Sequence, residues 1–224
     1  MRKIAFVFAL CSLLALSASA FAASLCTTVA CVNPTDNVNW GLQGLGAAGT
    51  VWSTPQPWIS TGATNTGLIG VVGQTNFTLM QQSVNWNGNF TPGDFLIWNQ
   101  DLNNQTGNAE EIGLVFNTPV SAGGAQIQAD FFGAFTATVC DQSGICFSEA
   151  GNSNSNGDGS AIFIGITGDP GITFLTFSVV DVNGNNNEAI DTVFFSTVPE
   201  PGSMMLLGTG LLGAIAYGRR RLGL

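Results

Sequence analysis

Between Ser24 and Gly218 the chain offers carboxylates and cysteines for chemistry, but no Lys, Arg or His. All 14 Asp and Glu residues fall in that span, and the five basic residues are Arg2, Lys3, Arg219, Arg220 and Arg221. Without an imidazole there is no general base for a Ser-His-Asp or Cys-His nucleophile and no nitrogen ligand for zinc. Without Lys or Arg there is no Schiff base, no phosphate clamp and no attraction to nucleic acid. Two chemistries stay open. A carboxylate pair about 5–9 Å apart could hydrolyse a glycosidic bond. Carboxylate, amide and carbonyl oxygens could hold calcium.

For the first, Glu110, Glu111 and Glu149 are the available acids, and nothing in their local sequence marks them. Glu110-Glu111 follows Asn103-Asn104-Gln105-Thr106-Gly107-Asn108 and reads as a solvated loop end. The expectation is therefore a non-catalytic protein with no required cofactor. For the second, Asn152-Ser153-Asn154-Ser155-Asn156-Gly157 resembles the opening of a calcium loop, but Phe163 stands where a bidentate Glu is needed. Asp181-Val182-Asn183-Gly184-Asn185 alternates oxygen donors in a similar way. Solvated Asn/Gly turns account for both segments more simply. A structural calcium would be better placed on Asp191, in the last strand, paired with a loop carboxylate such as Asp169 or Asp158.

Indoles beside amides are a further constellation, in Trp86-Asn87-Gly88-Asn89 and Trp98-Asn99-Gln100-Asp101. A sugar stacks its apolar face on such a ring while amides meet its hydroxyls. Core filling is the commoner use of Trp, and exposure of Trp86 and Trp98 in one groove would separate the two uses. Four cysteines, Cys26, Cys31, Cys140 and Cys146, remain once the N-terminal segment holding Cys11 is set aside. An even number in an exported chain reads as two disulfides, with three possible connectivities. The short loops favour Cys26–Cys31 and Cys140–Cys146; four-cysteine metal binding lacks the usual C-x-x-C spacing.

These residues lie on short apolar or alternating runs divided by Gly, Asn, Pro and Ser. Ala125–Phe131 and Phe135–Cys140 alternate apolar and polar residues, the mark of a half-buried antiparallel strand. Further strands are expected at Val38–Leu42, Gly49–Ser53, Leu68–Val72, Phe77–Gln81, Phe95–Trp98, Gly113–Asn117, Ile145–Ser148, Ala161–Thr167, Thr173–Val180 and Asp191–Ser196. No 12-residue stretch of the body shows helical periodicity. Residues 23–197 are therefore expected to form an all-β domain, a single antiparallel β-sandwich or jelly roll. The polar segments Gly151–Gly159 and Asn183–Asn187 are expected as exposed loops.

The two ends carry different signals. Residues 1–22 have a basic start at Arg2-Lys3, an apolar run from Ile4 to Leu16, and Ala20-Phe21-Ala22 as a cleavage site. They read as a signal peptide cut before Ala23, with a plain N-terminal anchor as the alternative. Residues 198–224 begin with Pro199-Glu200-Pro201, continue with the apolar run Met204–Tyr217, and end in Arg219, Arg220 and Arg221. At 1.5 Å per residue that run reaches about 21 Å, short of a ~30 Å hydrocarbon core. The Arg cluster would act as a membrane stop on the cytoplasmic side. Gly210, Ala214 and Gly218 form a small-residue stripe that a short helix can carry incidentally.

The motif, the short apolar helix and the terminal Arg cluster together resemble the PEP-CTERM sorting signal of bacterial exported proteins, a tail also called the ice-binding protein C-terminal domain. The resemblance implies bacterial origin, export, transient membrane insertion, and processing by an exosortase, a membrane cysteine transpeptidase. An inner-membrane-anchored intermediate would then pass to the cell surface or an extracellular matrix. Ile112–Val120, Phe163–Ile166 and Ala189–Phe195 are similar to lectin-type jelly rolls that often precede such tails. Three readings of the body follow: a structural surface or matrix protein, a carbohydrate-binding module for exopolysaccharide that could use calcium, and an ice-binding protein. Flat ice-binding faces need repeated Thr ladders, and Thr136-Ala137-Thr138 stands alone, so the third ranks last.

Overall fold

The computed structural model describes residues 22–99, 110–198 and Gly210. The expected signal peptide, Pro199, Glu200, Pro201, the Met204–Tyr217 run apart from Gly210, and Arg219, Arg220 and Arg221 lie outside the described residues. Among the described residues, no helix is long and apolar enough to cross a membrane.

The strands are β1 (Ser24–Cys26), β2 (Asp36–Val38), β3 (Val51–Ser53), β4 (Gln56–Ile59), β5 (Thr66–Val71), β6 (Asn76–Gln81) and β7 (Phe95–Trp98). They continue with β8 (Ile112–Ala129), β9 (Gly133–Asp141), β10 (Cys146–Ser153), β11 (Ile162–Asp181) and β12 (Glu188–Thr197). Within residues 22–198 one helical turn, Val29–Val32, and one 3-10 turn, Trp40–Leu42, complete the described elements. Every strand-to-strand ladder is antiparallel. The order along the main sheet is β10-β9-β11-β8-β12-β7-β6-β3, with β1 on β11, β2 on β12, and β4-β5 on β8. The protein is thus all-β, as its alternating runs predict.

Two long strands organise the molecule. β8 joins what the sequence suggests as separate strands, Gly113–Asn117 and Ala125–Phe131; β11 likewise joins Ala161–Thr167 and Thr173–Val180. Pro119, Gly123 and Gly124 look like strand breakers, as do Gly168 and Gly171, yet the chain bends here without ending its ladder. The β8–β11 register shifts between Thr167 and Ile172 and again before Phe174, so the bends are bulges, where Pro and Gly are tolerated in a sheet. At the neighbouring crossing a Cβ on Gly124 would lie 2.6 Å from the Ile164 carbonyl oxygen, so only glycine fits there.

The first half of β8 pairs with β5 and the second half of β11, and its second half with β12 and the first half of β11. Side chains from both halves, including Leu114, Phe177 and Val139 on one side and Ile127, Ile190 and Phe195 on the other, meet in a single apolar cluster. Trp58, Phe116 and Phe195 stack edge to face or tilted within it, with centroids 5.5–6.4 Å apart. Burying such side chains contributes about 1.5–3 kcal/mol each, which is how a chain with 8% charged residues holds together without ion pairs between side chains of the body.

Cys26–Cys31 and Cys140–Cys146 are the two disulfides. The second joins directly opposed residues of the β9–β10 hairpin, where Asp141 Oδ1 accepts the Ser143 and Ile145 N–H groups and shapes the turn.

Both ends of the described chain leave from one pole of the body. Ser24 pairs with Thr167, Thr167 with Ala122, and Ala122 with Ser196. Three inter-strand spacings of about 4.8 Å put the two exits ~14 Å apart. The other end of β12, at Glu188, lies at the opposite pole.

Candidate functional site

Of the indoles proposed for a sugar surface, Trp86 is buried and Trp98 is half-buried. Trp86 is 6% exposed and packs edge to face on the partly buried Trp98 at 5.8 Å, with Met80, Phe90, Leu96, Ala161 and Ala189 around them. Their amide neighbours have structural work. The buried Gln82 side chain donates to the Gly88 carbonyl at 3.0 Å and accepts from its N–H at 3.1 Å. Gln128 Oε1 accepts the Asn89 N–H at 2.6 Å. Asn89 donates to Ser160 Oγ at 2.9 Å and accepts the Asn154 N–H at 2.6 Å. Apolar rings and saturated amides thus tie the loop before β7 to the loop after β10, which explains why Trp and Asn are neighbours in the sequence.

The carboxylates suggested for calcium stand in different settings. Asp191 is buried on β12, Asp158 is held in an exposed loop by Ser160, and Asp169 accepts the Gly171 N–H on β11. Among the described residues no group of three or more His, Cys, Asp or Glu side chains could hold a metal ion. The Asp181–Asn185 segment closes on itself: Asp181 Oδ1 accepts the Asn183 and Asn185 N–H groups at 2.7 and 2.9 Å, and Oδ2 accepts from the Asn185 side chain at 2.8 Å. Burial raises the Asp181 pKa, and these bonds outweigh it and leave it lowered. Such a carboxylate serves as a turn cap. Asn186 and Asn187, expected in solvent, are buried; the Asn187 carbonyl accepts the Asp130 N–H at 2.9 Å. Of the glycosidase candidates, Glu110 is buried at the start of β8, whereas Glu111 and Glu149 are half-buried.

Three buried acids have environments that local sequence does not announce. Asp36, on β2, accepts from the Asn37 and Gly62 N–H groups at 2.8 Å each and from the Thr64 hydroxyl at 2.6 Å. Burial raises its pKa, but hydrogen bonds from Ser60, Thr64, Gly62 and Asn37 win and lower it to about 2. Asp191 lies in a bulge, since Ile190 faces Ile127 and Val193 faces Ala125, leaving Asp191 and Thr192 against Gln126 alone. The Asp191 carbonyl accepts the Trp40 indole N–H at 2.9 Å. Burial raises its carboxyl pKa to about 7; the Thr192 backbone opposes this, and the charge and hydrogen bond of Asp94 add to it.

The third acid is Glu188, the first residue of β12, with 0% exposure. Its Oε1 accepts the Ile112 N–H at 3.3 Å, while Oε2, also buried, has no hydrogen-bond partner. Burial holds its pKa well above the ordinary value, opposed by hydrogen bonds from Asn99, Ile112 and Val179 and reinforced by the charge of Glu110. The buried Asn99 side chain donates to the Glu110 carbonyl at 2.7 Å and accepts the Glu188 N–H at 2.6 Å, locking the two acids together. Gln74 donates to the Glu110 carboxylate.

The C-terminal signal grows directly from the body. β12 is paired on both flanks, with β8 on one side and β7 and β2 on the other. At its end the Thr197 N–H donates to Thr35 Oγ1 at 2.9 Å, and the Thr35 N–H donates to the Phe195 carbonyl at 3.0 Å. A central strand fastened at its last residue and followed at once by Pro-Glu-Pro, an apolar run and three Arg makes the class of this protein a β body bearing a sorting tail. The family described as PEP-CTERM protein-sorting motif matches residues 197–221, so the chain carries that motif, which marks proteins for exosortase-dependent export and sorting. No curated protein and no solved structure matches the chain.

Proposed function

We propose that this chain is a non-catalytic exported protein whose β-sandwich body is presented at the cell surface or in an extracellular matrix after exosortase processing. The observation that carries this reading is the PEP-CTERM motif at residues 197–221, abutting the fastened end of β12. The geometry of the exits supports a membrane-anchored intermediate. With both chain ends leaving one pole, a signal peptide and a C-terminal span could hold the body against one membrane face, the Glu188 pole outward. Each Arg of the terminal cluster would cost about 2.5–3.5 kcal/mol at the bilayer centre, which keeps the short Met204–Tyr217 run from slipping outward.

The absence of Lys, Arg and His from Ser24 to Gly218 supports a non-catalytic body. The burial of Trp86 against Trp98 favours an exopolysaccharide contact elsewhere on the surface. Intact-mass measurement of surface-extracted protein tests the reading. The expected species begins near Ala23 and ends near Pro199-Glu200-Pro201. A mature species still ending at Leu224 would make the tail a plain anchor and overturn the processing step.

A further inference from the structure

Among the described residues, β1, β2, β3, β4 and β10 have a neighbouring strand on one flank only. A bare edge offers backbone N–H and C=O groups to any strand that meets it, and proteins blunt such edges with short strands, prolines, charges or bulges. β1, β2 and β3 are three residues long, and β4 carries Pro57. β10 lacks these protections. It pairs with β9 over eight successive residues, Cys146 to Ser153, without a register shift, and Glu149 is its one charged residue.

The ladder tells which backbone groups of β10 are free. The Asp141 N–H donates to the Ile145 carbonyl at 3.0 Å, so that pair is of the hydrogen-bonded kind. Bonded and non-bonded pairs alternate along an antiparallel ladder. Val139–Phe147, Ala137–Glu149 and Phe135–Gly151 are therefore bonded pairs, and Cys140–Cys146, Thr138–Ser148, Thr136–Ala150 and Ala134–Asn152 are not. The 2.9 Å contact between the Thr138 and Ser148 hydroxyls agrees, since side chains stand closer in non-bonded pairs. Cys146, Ser148, Ala150 and Asn152 thus turn their backbone N–H and C=O groups away from β9. The Asn152 carbonyl accepts from Asn89 Nδ2 at 3.2 Å. The other three residues are exposed, and among the described residues no strand pairs with their outward side.

We propose that β10 is a self-association edge, on which β10 of a second copy adds antiparallel about a two-fold axis at Ser148. Ser148 then faces Ser148 of the second copy and Cys146 faces Ala150, so all three outward residues exchange both of their N–H···O bonds. A centre at Phe147 would pair only Cys146 with Ser148. A centre at Glu149 would set the two Glu149 carboxylates directly opposite each other, which destabilises a sheet, and would call on the Asn152 carbonyl that Asn89 already holds. In the Ser148 register Glu149 faces Phe147 instead. A second copy is the occupant because the free groups are symmetric about Ser148 and the residues that carry them are small and uncharged. The bodies are otherwise acidic, so the contact strengthens as salt screens them, whereas a basic partner would be weakened. The pairing does not depend on how the C-terminal tail is processed.

The test is sedimentation of the full chain in mild detergent at pH 7, from dilute solution up to about 1 mM, in low and in moderate salt, with amide hydrogen exchange at both ends of the series. The expected result is a particle mass that rises towards two chains with concentration, more steeply in the higher salt. With it the Cys146, Ser148 and Ala150 amides slow, while those of Phe147 and Glu149, already donated to β9, stay as they are. Ser148→Pro removes one outward N–H and spares the β9 ladder, so it should keep its urea midpoint and remain monomeric. Ser148→Ala, which loses the hydroxyl and keeps the N–H, should pair as the wild type does. A chain that is monomeric throughout overturns the proposal. Pairing that persists undiminished in Ser148→Pro does so too, since it places the contact in the tail or elsewhere. Slow exchange of the three amides in the monomer would mean that another segment of the chain lies on this edge, and is equally contrary. If Ser148→Pro fails to fold, Ala150→Pro takes its place, and exchange in the wild type still decides the matter.

Discussion

Replacing Asp191 with Asn should make this protein more stable at neutral pH while leaving it unchanged near pH 4. In the folded state Asp191 keeps its proton until about pH 7, because burial first, and Asp94 beside it, penalise the anion. In the unfolded chain the same group ionises near 3.8. A raised pKa of this kind means that the folded state binds the extra proton. Stability therefore falls as pH rises from about 4 to about 7, by up to ~1.4 kcal/mol per unit, for a total on the order of 2–4 kcal/mol. Asn at this position donates to Asp94 as the protonated acid does, and its oxygen can accept from Thr192 as Asp191 Oδ1 does at 3.2 Å. It adds no proton to the balance. Urea unfolding followed by Trp fluorescence, in chelator at pH 4, 5.5 and 7, gives the two profiles. The variant minus wild-type difference should be near zero at pH 4 and grow in favour of the variant by pH 7. Glu188 contributes its own slope to both proteins and cancels in that difference. Parallel profiles, or a variant less stable at pH 7, would refute the reasoning.

Asp36 has the opposite sign. Its folded pKa of about 2 lies below the ordinary value, so its contribution is complete above pH ~4 and is lost as pH falls towards 2; Asp36→Ala should cost up to about 2 kcal/mol at pH 6 and much less at pH 2, read by the same unfolding assay. The mature protein should show no free thiol when denatured without reductant, since Cys26–Cys31 and Cys140–Cys146 account for its cysteines; labelling above trace would contradict the pairing. Reduction should lower stability by roughly 2 kcal/mol per bridge in the chain-entropy account, and an unchanged urea midpoint would speak against it. A body with no basic side chain should pass through heparin resin at low salt, and retention would be the contrary result.

How far the sequence speaks depends on how local the governing interaction is. Phe77–Gln81 and Phe95–Trp98 were legible because each strand is a short apolar run bounded by turn residues, and β6 and β7 match them closely. The disulfides were legible because each closes a short loop. The bends of β8 and β11 were not: Pro119 and Gly168 are turn signals locally, and only the partner strand decides that the ladder resumes beyond them. The packing of Trp86 against Trp98 was not legible for a related reason. The partners of the rings, Ala161 and Ala189, lie far along the chain, and the Asn89 and Asn99 side chains that suggested a sugar site bond instead to backbone groups of Asn152, Asn154, Glu110 and Glu188. Glu188 carried no local signal at all. It sits between an Asn-rich turn and an ordinary alternating strand, and its burial arises where β12 meets Asn99 and the start of β8.

A body without cations must deal with each carboxylate separately, and the structure shows different answers with different consequences. Asp36 and Asp181 accept enough N–H and hydroxyl donors to hold their pKa values below the ordinary carboxylate range, and their charge shapes turns. Asp191 stands in a bulge with a second acid and holds a proton instead, so its part of the structure strengthens in acid. Glu188 is fully buried, with one oxygen accepting the Ile112 N–H and the other unpartnered, and burial holds its pKa well above the ordinary value. These answers divide the molecule along β12. The end that leads into the sorting motif is held by Thr35 through hydrogen bonds that neither protons nor ions in this pH range disturb. The other end begins at the fully buried carboxyl of Glu188. The attachment of the tail to the body should therefore be insensitive to pH, while the buried acids farther back along β12 answer to it.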